Sequence, residues 1–234
     1  MNKRNIIKTG FITSTIIGSI LFIAGITYII YPQSSPMEVP SNLRAQNTPL
    51  SDEFLASSKY ASDYSKLNDT FESQIYRSYC GVASSVITLN ALGHSASQDT
   101  FFSHEKAGDV RPFFKVFLTG MPLSDLEGLL NAYGASTRKY FASDMSVNDF
   151  RRILKKNMSN PNDYIVVNYL RSSLGQNNVG HISPLGAYQE STDEVLIMDV
   201  TTYNYPHVWV KTETLFNAMN TQDSEHTRGF IEVF

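Results

Sequence analysis

The pattern of apolar residues changes near the middle of the chain, and this change limits the possible folds more than any other feature. In the first half, small and apolar residues recur at helical spacing, most clearly over Cys80–Leu92, where Gly93 is placed to end the helix. In the second half, short runs rich in β-branched and aromatic residues alternate with turn residues. Helices followed by antiparallel strands predict an α+β fold.

Three further segments have helical signals. Phe54–Tyr64 is interpreted as a short helix. Ser124-Asp-Leu-Glu127 has the pattern of a capping box and predicts a helix that ends near Gly134. Ser146-Val-Asn-Asp149 has a similar pattern and predicts a helix over Val147–Met158.

Strand signals dominate the chain beyond residue 160. The predicted strands are Tyr164–Leu170, His181–Gln189, Val195–Val200, His207–Val210 and Gly229–Phe234. A short polar segment, residues 190–194, separates the second run from the third and predicts a hairpin turn.

The N-terminal region differs from the rest of the chain. Thr9–Tyr31 contains no charged residue and follows three basic residues, and as a helix it would be about 35 Å long, enough to cross a bilayer. The apolar run exceeds the usual core of a signal peptide and no A-x-A site follows it, which favours an uncleaved anchor over a cleaved signal. We therefore expect a signal anchor over residues 1–31, a linker over 32–52 and a folded domain over 53–234 on the periplasmic side of the membrane.

Composition excludes two classes of function. The chain has 19 Lys and Arg residues against 22 Asp and Glu residues, and three of the basic residues lie before the apolar run, so a basic surface for nucleic acid is not expected. With one cysteine the chain cannot form an internal disulfide, and no histidine spacing matches a metal site.

The single cysteine, Cys80, lies where the strongest predicted helix begins. The helix dipole and the free backbone N–H groups at that end favour a thiolate. A buried structural cysteine is the alternative reading. His181 opens one strand of the predicted hairpin and Asp199 closes the other, so antiparallel pairing would place them roughly opposite each other. Cys80, His181 and Asp199 therefore form a candidate set of nucleophile, base and orienting carboxylate.

A fourth candidate precedes the cysteine. Gln74 lies six residues before Cys80, and its side-chain amide could donate to an oxyanion beside the backbone N–H of Cys80. The other histidines lie in turn-like or polar surroundings, except His207, which lies near Trp209 and is interpreted as a packing residue.

Four segments together resemble a known family. They are Tyr79-Cys-Gly-Val-Ala-Ser84, Val167-Asn-Tyr-Leu-Arg171, Gly180-His-Ile-Ser-Pro184 and Asp199-Val-Thr-Thr-Tyr-Asn-Tyr-Pro206. The combination is similar to phytochelatin synthase, specifically its short bacterial form, over about residues 50–234. Members of that family are papain-like cysteine transpeptidases, so the resemblance implies a papain-like fold.

The resemblance also implies roles for individual residues. Cys80 would be the nucleophile, His181 the general base and acid, Asp199 its orienting residue and Gln74 the oxyanion donor. Four more positions match the surroundings of the family's substrate pocket: Asn168, Arg171, Gly180 and Arg228. An arginine there suits a carboxylate because its planar fork can bind both oxygens.

The activity that the resemblance implies is transfer of γ-glutamylcysteine. Glutathione would lose glycine, form a thioester on Cys80, and pass the γ-Glu-Cys unit to a second glutathione or to water. The short bacterial relatives tend towards hydrolysis. No cofactor is required, and cadmium or zinc would act as glutathione–thiolate complexes. A homodimer is one possible assembly.

The sequence is also compatible with two other functions. One is a papain-like peptidase that acts on ordinary peptides such as bacteriocin leaders, which shares the Cys-Gly start but not the segment from Asp199 to Pro206. The other is a membrane-tethered module that binds thiols or metals through Cys80 without turnover.

Overall fold

The computed structural model describes residues 34–224 and 226–234, together with residues 19, 20, 25, 27, 28 and 30–32. The predicted membrane-spanning segment, residues 9–31, lies largely outside these residues. Within the described ranges, no helix combines the length and the apolar character needed to cross a membrane.

An antiparallel sheet forms the centre of the fold. Its strands in chain order are β1 (Arg44–Ala45), β2 (Thr137–Phe141), β3 (Tyr164–Leu170), β4 (Gly180–Gln189), β5 (Glu194–Ile197), β6 (Val208–Lys211) and β9 (Gly229–Val233). Their order across the sheet is β1-β6-β5-β4-β3-β9-β2. Two short strands, β7 (Gln222–Asp223) and β8 (His226–Thr227), pair separately just before β9.

Helices surround this sheet. In chain order they are α1 (Pro49–Ala56), α2 (Tyr64–Asp69), α3 (Cys80–Ala91), α4 (Ala107–Val110), α5 (Phe113–Thr119), α6 (Leu123–Ala132), α7 (Val147–Asn157) and α8 (Thr212–Met219). Short 3-10 turns occur at Phe101–Ser103, Ala142–Asp144 and Arg171–Leu174.

The sheet is buried on both faces. On β3, Ile165 and Val167 pack in a cluster with side chains of α7 and α8, whereas Tyr164 and Val166 contact side chains from the opposite side, where α3 and α6 lie. A strand buried on both faces needs a nearly continuous apolar sequence, which YIVVNYL provides. The architecture is therefore a mixed α/β fold with an antiparallel sheet between helices.

Helix α3 lies in the most enclosed position, with residues 81–89 and 91 all buried. Its small polar side chains are accommodated because they find acceptors inside the fold: Ser84 Oγ donates to the Ile182 carbonyl on β4 at 3.1 Å, and Ser85 Oγ donates to Gly81 at 2.8 Å. Gly81 has no space for a side chain, because a Cβ there would lie 2.6 Å from Met121 Sδ. The start of α3 is thus fixed against β4 and the loop before α6.

Two predicted helix starts agree with the structure and two are wrong. The predictions for α3 and for α7, including its Ser146–Asp149 capping box, are confirmed. The helix predicted over Phe54–Tyr64 is wrong, because Thr48 caps α1 and Pro49 begins it earlier.

The capping box predicted at Ser124 is also wrong. Helix α6 begins at Leu123, two residues before the start that a cap at Ser124 would give, and neither polar side chain of the predicted box caps it. Ser124 Oγ and Glu127 instead contact Lys139 Nζ on β2, at 3.1 and 2.7 Å.

The predicted strands are all present; Tyr164–Leu170 has the predicted ends, and the ends of the others are shifted. β5 ends at Ile197, short of the predicted Val200. Strand β2 and helix α8 were not predicted. In the segment predicted as a linker, β1 pairs with β6, and Gln46 Oε1 accepts a hydrogen bond from the buried Trp209 indole. These residues of the segment therefore belong to the packed sheet.

Candidate active site

A cavity of about 760 Å³ opens at the end of the sheet where β3 and β5 end and β4 begins. Most of the residues that were predicted from the sequence to form a site line it: Gln74, Cys80, Asn168, Arg171, Gly180, His181 and Arg228. The eighth, Asp199, is fully buried and contacts His181. The fold thus brings all eight residues to one place, although not all in the predicted manner.

Cys80 is the first residue of α3 and is partly exposed towards the cavity. Burial raises the pKa of its thiol, and this effect outweighs the Arg171 charge and the hydrogen bonds from the backbone of Ile182 and Gly81, which lower it. This direction is opposite to the expectation that the helix start favours a thiolate.

His181, the second residue of β4, is buried in the wall of the cavity that Cys80 also lines. Burial and the nearby Arg171 charge lower its pKa to about 4, while Asp199 acts in the opposite direction. The imidazole is therefore neutral at pH 7. Its Nε2 lies 3.1 Å from Asp199 Oδ1, which leaves Nδ1 as the ring nitrogen that can accept the thiol proton.

Asp199 meets His181 in a way that differs from the prediction. The last pair of the β4–β5 ladder is Leu185 with Ile197, so Asp199 lies beyond the strand and is not opposite His181 in the ladder. Its carboxylate reaches the imidazole from the loop after β5. Thr201 fixes the carboxylate, because both its N–H (2.8 Å) and its Oγ1 (2.7 Å) donate to Oδ1.

Arg171 lines the cavity, but its guanidinium has different partners from the one predicted. Its side chain is 2% exposed and its guanidinium donates to Asp199 at 2.7 Å, to Thr201 Oγ1 at 2.7 Å and to Gln176 Oε1 at 2.6 Å. These bonds commit its planar fork to the protein, so the predicted binding of a substrate carboxylate is not what this geometry favours. The guanidinium holds the pKa of Asp199 well below its ordinary value and keeps that carboxylate charged.

Gln74 is buried at the cavity wall, but its amide nitrogen is already used. Nε2 donates to the carbonyls of Tyr76 and Arg77 at 2.8 and 2.9 Å, within the loop that leads to Cys80. The backbone N–H of Gln74 donates to the carbonyl of Val200 at 2.9 Å, which ties this loop to the segment that carries Asp199. In this state Gln74 orders the loop before the cysteine, and donation to an oxyanion stays a prediction.

A second group of polar side chains lies in the same cavity. Asn168 Nδ2 donates to Asp223 Oδ2 at 2.9 Å, and the Arg228 guanidinium lies 3.5 Å from Asp223 Oδ1. Gly180 leaves room for that guanidinium, since a Cβ at position 180 would be 3.1 Å from Nη2. A cation and an anion side by side can bind a group that carries both charges, such as the amino and carboxylate groups on one carbon.

Several residues of the site were missed from the sequence: Gln176, Thr201, Tyr203 and Asp223. Thr201 had a usable signal, since a hydroxyl two residues after a buried aspartate often bonds to it. Tyr203 lines the cavity, and burial raises its pKa to about 12. Its position depends on how the loop after β5 folds back, for which the sequence offers no signal.

Comparisons with known proteins identify a family that matches most of the chain. Residues 34–230 match the family described as phytochelatin synthase. Glutathione gamma-glutamylcysteinyltransferase 3 of Lotus japonicus is 32% identical over 163 residues, which cover 68% of this chain and 34% of that relative. Glutathione gamma-glutamylcysteinyltransferase 1 of Triticum aestivum is 31% identical over 170 residues, covering 70% of this chain and 34% of the relative.

A relative from Schizosaccharomyces pombe, named glutathione gamma-glutamylcysteinyltransferase, is 25% identical over 176 residues, which cover 72% of this chain and 42% of the relative. The chain spans about a third of the length of the two plant relatives that it matches. Because the family match extends over residues 34–230, which is most of the chain, this protein belongs to the phytochelatin synthase family.

Proposed function

We propose that this protein is a cysteine acyltransferase that takes γ-glutamylcysteine from glutathione, with release of glycine. The observation that carries the proposal is that Cys80 and His181 line one cavity, with Asp199 in contact with His181, in a chain of this family. A helix that starts with the nucleophile and packs against the strand that holds the base is the arrangement expected of a papain-like fold, which we propose for this domain.

The first half-reaction starts from a neutral pair. His181 Nδ1 takes the proton of the Cys80 thiol while the sulfur attacks the carbonyl carbon of the Cys–Gly bond. The C–N bond then breaks, the imidazolium returns the proton to the leaving amine of glycine, and a thioester remains on Cys80. The charged Asp199 stabilises the imidazolium that forms in this step, because Arg171 and Thr201 hold it beside Nε2.

The oxyanion of the tetrahedral intermediate needs hydrogen-bond donors. The backbone N–H of Cys80 at the start of α3 has no acceptor within the helix and can serve as one donor. Gln74 Nε2 would be the second donor once the amide turns from the Tyr76 and Arg77 carbonyls towards the substrate.

The second half-reaction depends on the acceptor. The amino group of a second glutathione, or water, attacks the thioester carbonyl; the new bond forms, the C–S bond breaks, and the acceptor's proton passes through His181 to the Cys80 sulfur. We propose that hydrolysis predominates over transfer, in accord with the resemblance to the short bacterial members.

The γ-glutamyl end of the substrate is proposed to bind beside Asp223 and Arg228. A γ-linked glutamate keeps its α-amino and α-carboxylate groups free on one carbon, and these complement the aspartate and the arginine. Asn168 positions the Asp223 carboxylate by donating a hydrogen bond to it, and Gly180 leaves space for the Arg228 guanidinium. An α-linked glutamate in an ordinary peptide lacks this free pair, so the site should select γ-glutamyl substrates.

The proposal is tested by mass spectrometry of the products formed from glutathione by the purified protein. We expect glycine and γ-glutamylcysteine, loss of both products in Cys80→Ala with an unchanged circular dichroism spectrum, and no cleavage of the α-linked isomer. Full activity of Cys80→Ala would refute the assigned nucleophile. Equal cleavage of the two isomers would favour an ordinary peptidase instead.

We propose that no cofactor is required and that cadmium or zinc enters as a thiolate complex of glutathione. Among the described residues, no group of three or more His, Cys, Asp or Glu side chains is placed to hold a metal ion. Product formation with glutathione alone, and with glutathione plus cadmium, measures the contribution of the metal complex.

We propose from the sequence that residues 9–31 anchor the protein in a membrane with the domain on the periplasmic side. Membrane fractionation and protection from added protease test the anchor and the location. A protein that stays in the aqueous fraction with its N-terminus intact would refute the anchor.

The assembly of the protein is tested separately. Light scattering of the purified protein shows whether it forms a homodimer.

A further inference from the structure

Three arginine side chains are among the residues that line the cavity: Arg77, Arg171 and Arg228. Arg171 donates to the carboxylate of Asp199 at 2.7 Å, and Arg228 lies 3.5 Å from the carboxylate of Asp223. Arg77 forms no ion pair with any carboxylate of the described residues. Its charge is therefore the one among these three arginines that has no anionic partner in the described part of the chain.

Arg77 lies in the loop before α3, three residues before Cys80. Its backbone carbonyl accepts a hydrogen bond from Gln74 Nε2 at 2.9 Å. Arg77 is thus bonded directly to the amide that is predicted to donate to the oxyanion. Its side chain is exposed, so a substrate that enters the cavity can reach it.

The guanidinium of Arg77 is oriented by the segment from Tyr28 to Tyr31. Nε donates to the carbonyl of Tyr31 at 3.3 Å, and the central guanidinium carbon lies 5.7 Å from the centroid of the Tyr28 ring, which also lines the cavity. The backbone N–H of Arg77 donates to the carbonyl of Ile30 at 3.3 Å. Nη1 and Nη2 have no hydrogen-bond partner among the described residues, so the two ends of the fork are available to a ligand.

Arg77 and the Asp223–Arg228 pair belong to different segments of the cavity wall. Arg77 is held by residues 28–31, whereas Asp223 accepts from Asn168 and Arg228 donates to residues 221 and 222. Glutathione also has two separate polar ends. Its γ-glutamyl end carries an amino group and a carboxylate on one carbon, and its glycine carboxylate lies one carbon beyond the nitrogen of the bond that is broken. The second carboxylate therefore needs a cation close to the oxyanion donors.

We propose that Arg77 binds the glycine carboxylate of glutathione and so selects substrates in which one residue with a free carboxylate follows the bond that is broken. Among the described residues of the cavity wall, Arg77, Arg171 and Arg228 are the only arginines and there is no lysine. Arg171 is bonded inside the protein and Arg228 serves the γ-glutamyl end, which leaves Arg77. Its planar fork matches the two oxygens of a carboxylate. The inference rests on the proposed function, because it assigns the leaving-group side of that reaction.

The expected effect is confined to one half of the reaction. The glycine carboxylate keeps its charge while the thioester forms, so Arg77 binds it equally in the ground state and the transition state. Loss of Arg77 should therefore raise KM for glutathione more than it lowers kcat. Once glycine has left, Arg77 has no partner on the γ-glutamylcysteine thioester, and the hydrolysis of that thioester should be unchanged.

The test compares two substrates of the purified full chain: glutathione and its glycinamide analogue γ-Glu-Cys-Gly-NH₂, which lacks the terminal charge. The released glycine or glycinamide is measured by mass spectrometry. We expect the parent protein to cleave glutathione with a kcat/KM about tenfold higher than that for the analogue, and added NaCl to reduce this preference. Arg77→Leu should cleave the two substrates equally, and Arg77→Lys should restore part of the preference because it restores the charge.

Arg152→Leu is the matched control, since Arg152 is exposed on α7 and pairs with Asp149 outside the cavity wall. This variant should keep the full preference. A preference that persists in Arg77→Leu, or a parent protein that cleaves both substrates equally, would overturn the inference and leave the proposed reaction standing. An equal loss of rate on both substrates in Arg77→Leu, with the preference intact, would overturn it as well and show that Arg77 only holds residues 28–31. Failure of the parent protein to release glycine from glutathione would refute the proposed function and the inference with it.

Discussion

Asp199 has several donors around it, and they set the protonation state of the whole site. Arg171 has the largest electrostatic effect on Asp199 and also lowers the pKa of His181. The sequence predicted the arginine as a substrate ligand, because an arginine near a pocket is the usual partner for a carboxylate. The structure gives it an internal carboxylate instead, which makes Arg171 a positioning residue in the proposed reaction.

Arg171→Met should raise the pKa of His181 above its value of about 4, because the repulsion between the two cations is removed. The acid side of the profile of glycine release against pH should therefore move to higher pH. Loss of one partner of a buried ion pair should also destabilise the fold by about 3–5 kcal/mol in chemical denaturation.

Thr201→Val is the matched variant for this comparison. It removes the Thr201 Oγ1 hydrogen bond to Asp199 and keeps the Arg171 charge, so it should cost about 1–3 kcal/mol and leave the acid side of the profile in place. An equal shift of the profile in both variants would show that Arg171 acts only by maintaining the fold.

The raised pKa of Cys80 and the lowered pKa of His181 predict a resting thiol and a neutral imidazole. Alkylation of Cys80 by iodoacetamide should therefore be slow at pH 6–7 and should rise through a pKa above that of an ordinary cysteine, about 8.5. Glycine release should persist as the pH falls towards about 4, where His181 gains a proton. A fast alkylation rate that is constant from pH 5 upwards would instead indicate a thiolate–imidazolium pair.

At the scale of single elements, the start of α3 and the end of β5 show how far the sequence could be interpreted. The helix was predictable because its small apolar residues and Gly93 are local signals, and the φ of Gly93 is +92°. The end of β5 was not, because the contact between Asp199 and His181 depends on a loop fixed by Thr201 and Arg171. Local patterns predicted which residues meet, and tertiary contacts determined how they meet.

Two glycines test how rigid these elements are. A Cβ at Gly229 would lie 2.0 Å from the carbonyl oxygen of Tyr140 across the β2–β9 pair, whereas at Gly81 it would meet the end of the Met121 side chain. A backbone atom within a sheet cannot move aside as a methionine can. Gly229→Ala should therefore lower the unfolding midpoint far more than Gly81→Ala, which we expect to cost about 1–3 kcal/mol.

Gly108 in α4 is the control, because its Cβ would meet nothing within 4 Å. Gly108→Ala should leave stability unchanged or raise it slightly. Met121→Ala should relieve part of the cost of Gly81→Ala, and the absence of any rescue would contradict the contact between these two residues.

For the whole molecule, the region before α1 was the part that sequence patterns described least well. Proline, serine and asparagine gave residues 32–52 the composition of a linker. Yet Ser35 and Met37 donate backbone hydrogen bonds to Tyr203 and Asn204, at 3.1 and 2.8 Å, beside the cavity. Such contacts follow from the fold of the loop after β5, so no local pattern could reveal them.

Removal of this region at two points separates its contributions. A chain that begins at residue 38 keeps β1 and Gln46 and should unfold near the temperature of a chain that begins at residue 32. A chain that begins at residue 47 keeps the Thr48 cap of α1 but loses β1 and the acceptor of the buried Trp209 indole, which should cost about 1–3 kcal/mol in denaturation. Equal stability of all three chains would contradict the contribution of β1.

The pairing of β1 with β6 has a further consequence for how copies of this protein behave towards one another. Without β1, the outer side of β6 would present unpaired N–H and C=O groups along Val208–Lys211, a stretch with three buried apolar residues. Exposed strand edges of this kind recruit strands from other chains and promote aggregation. Two residues of extended chain, in a region with the composition of a tether, thus keep the sheet from extending into its neighbours.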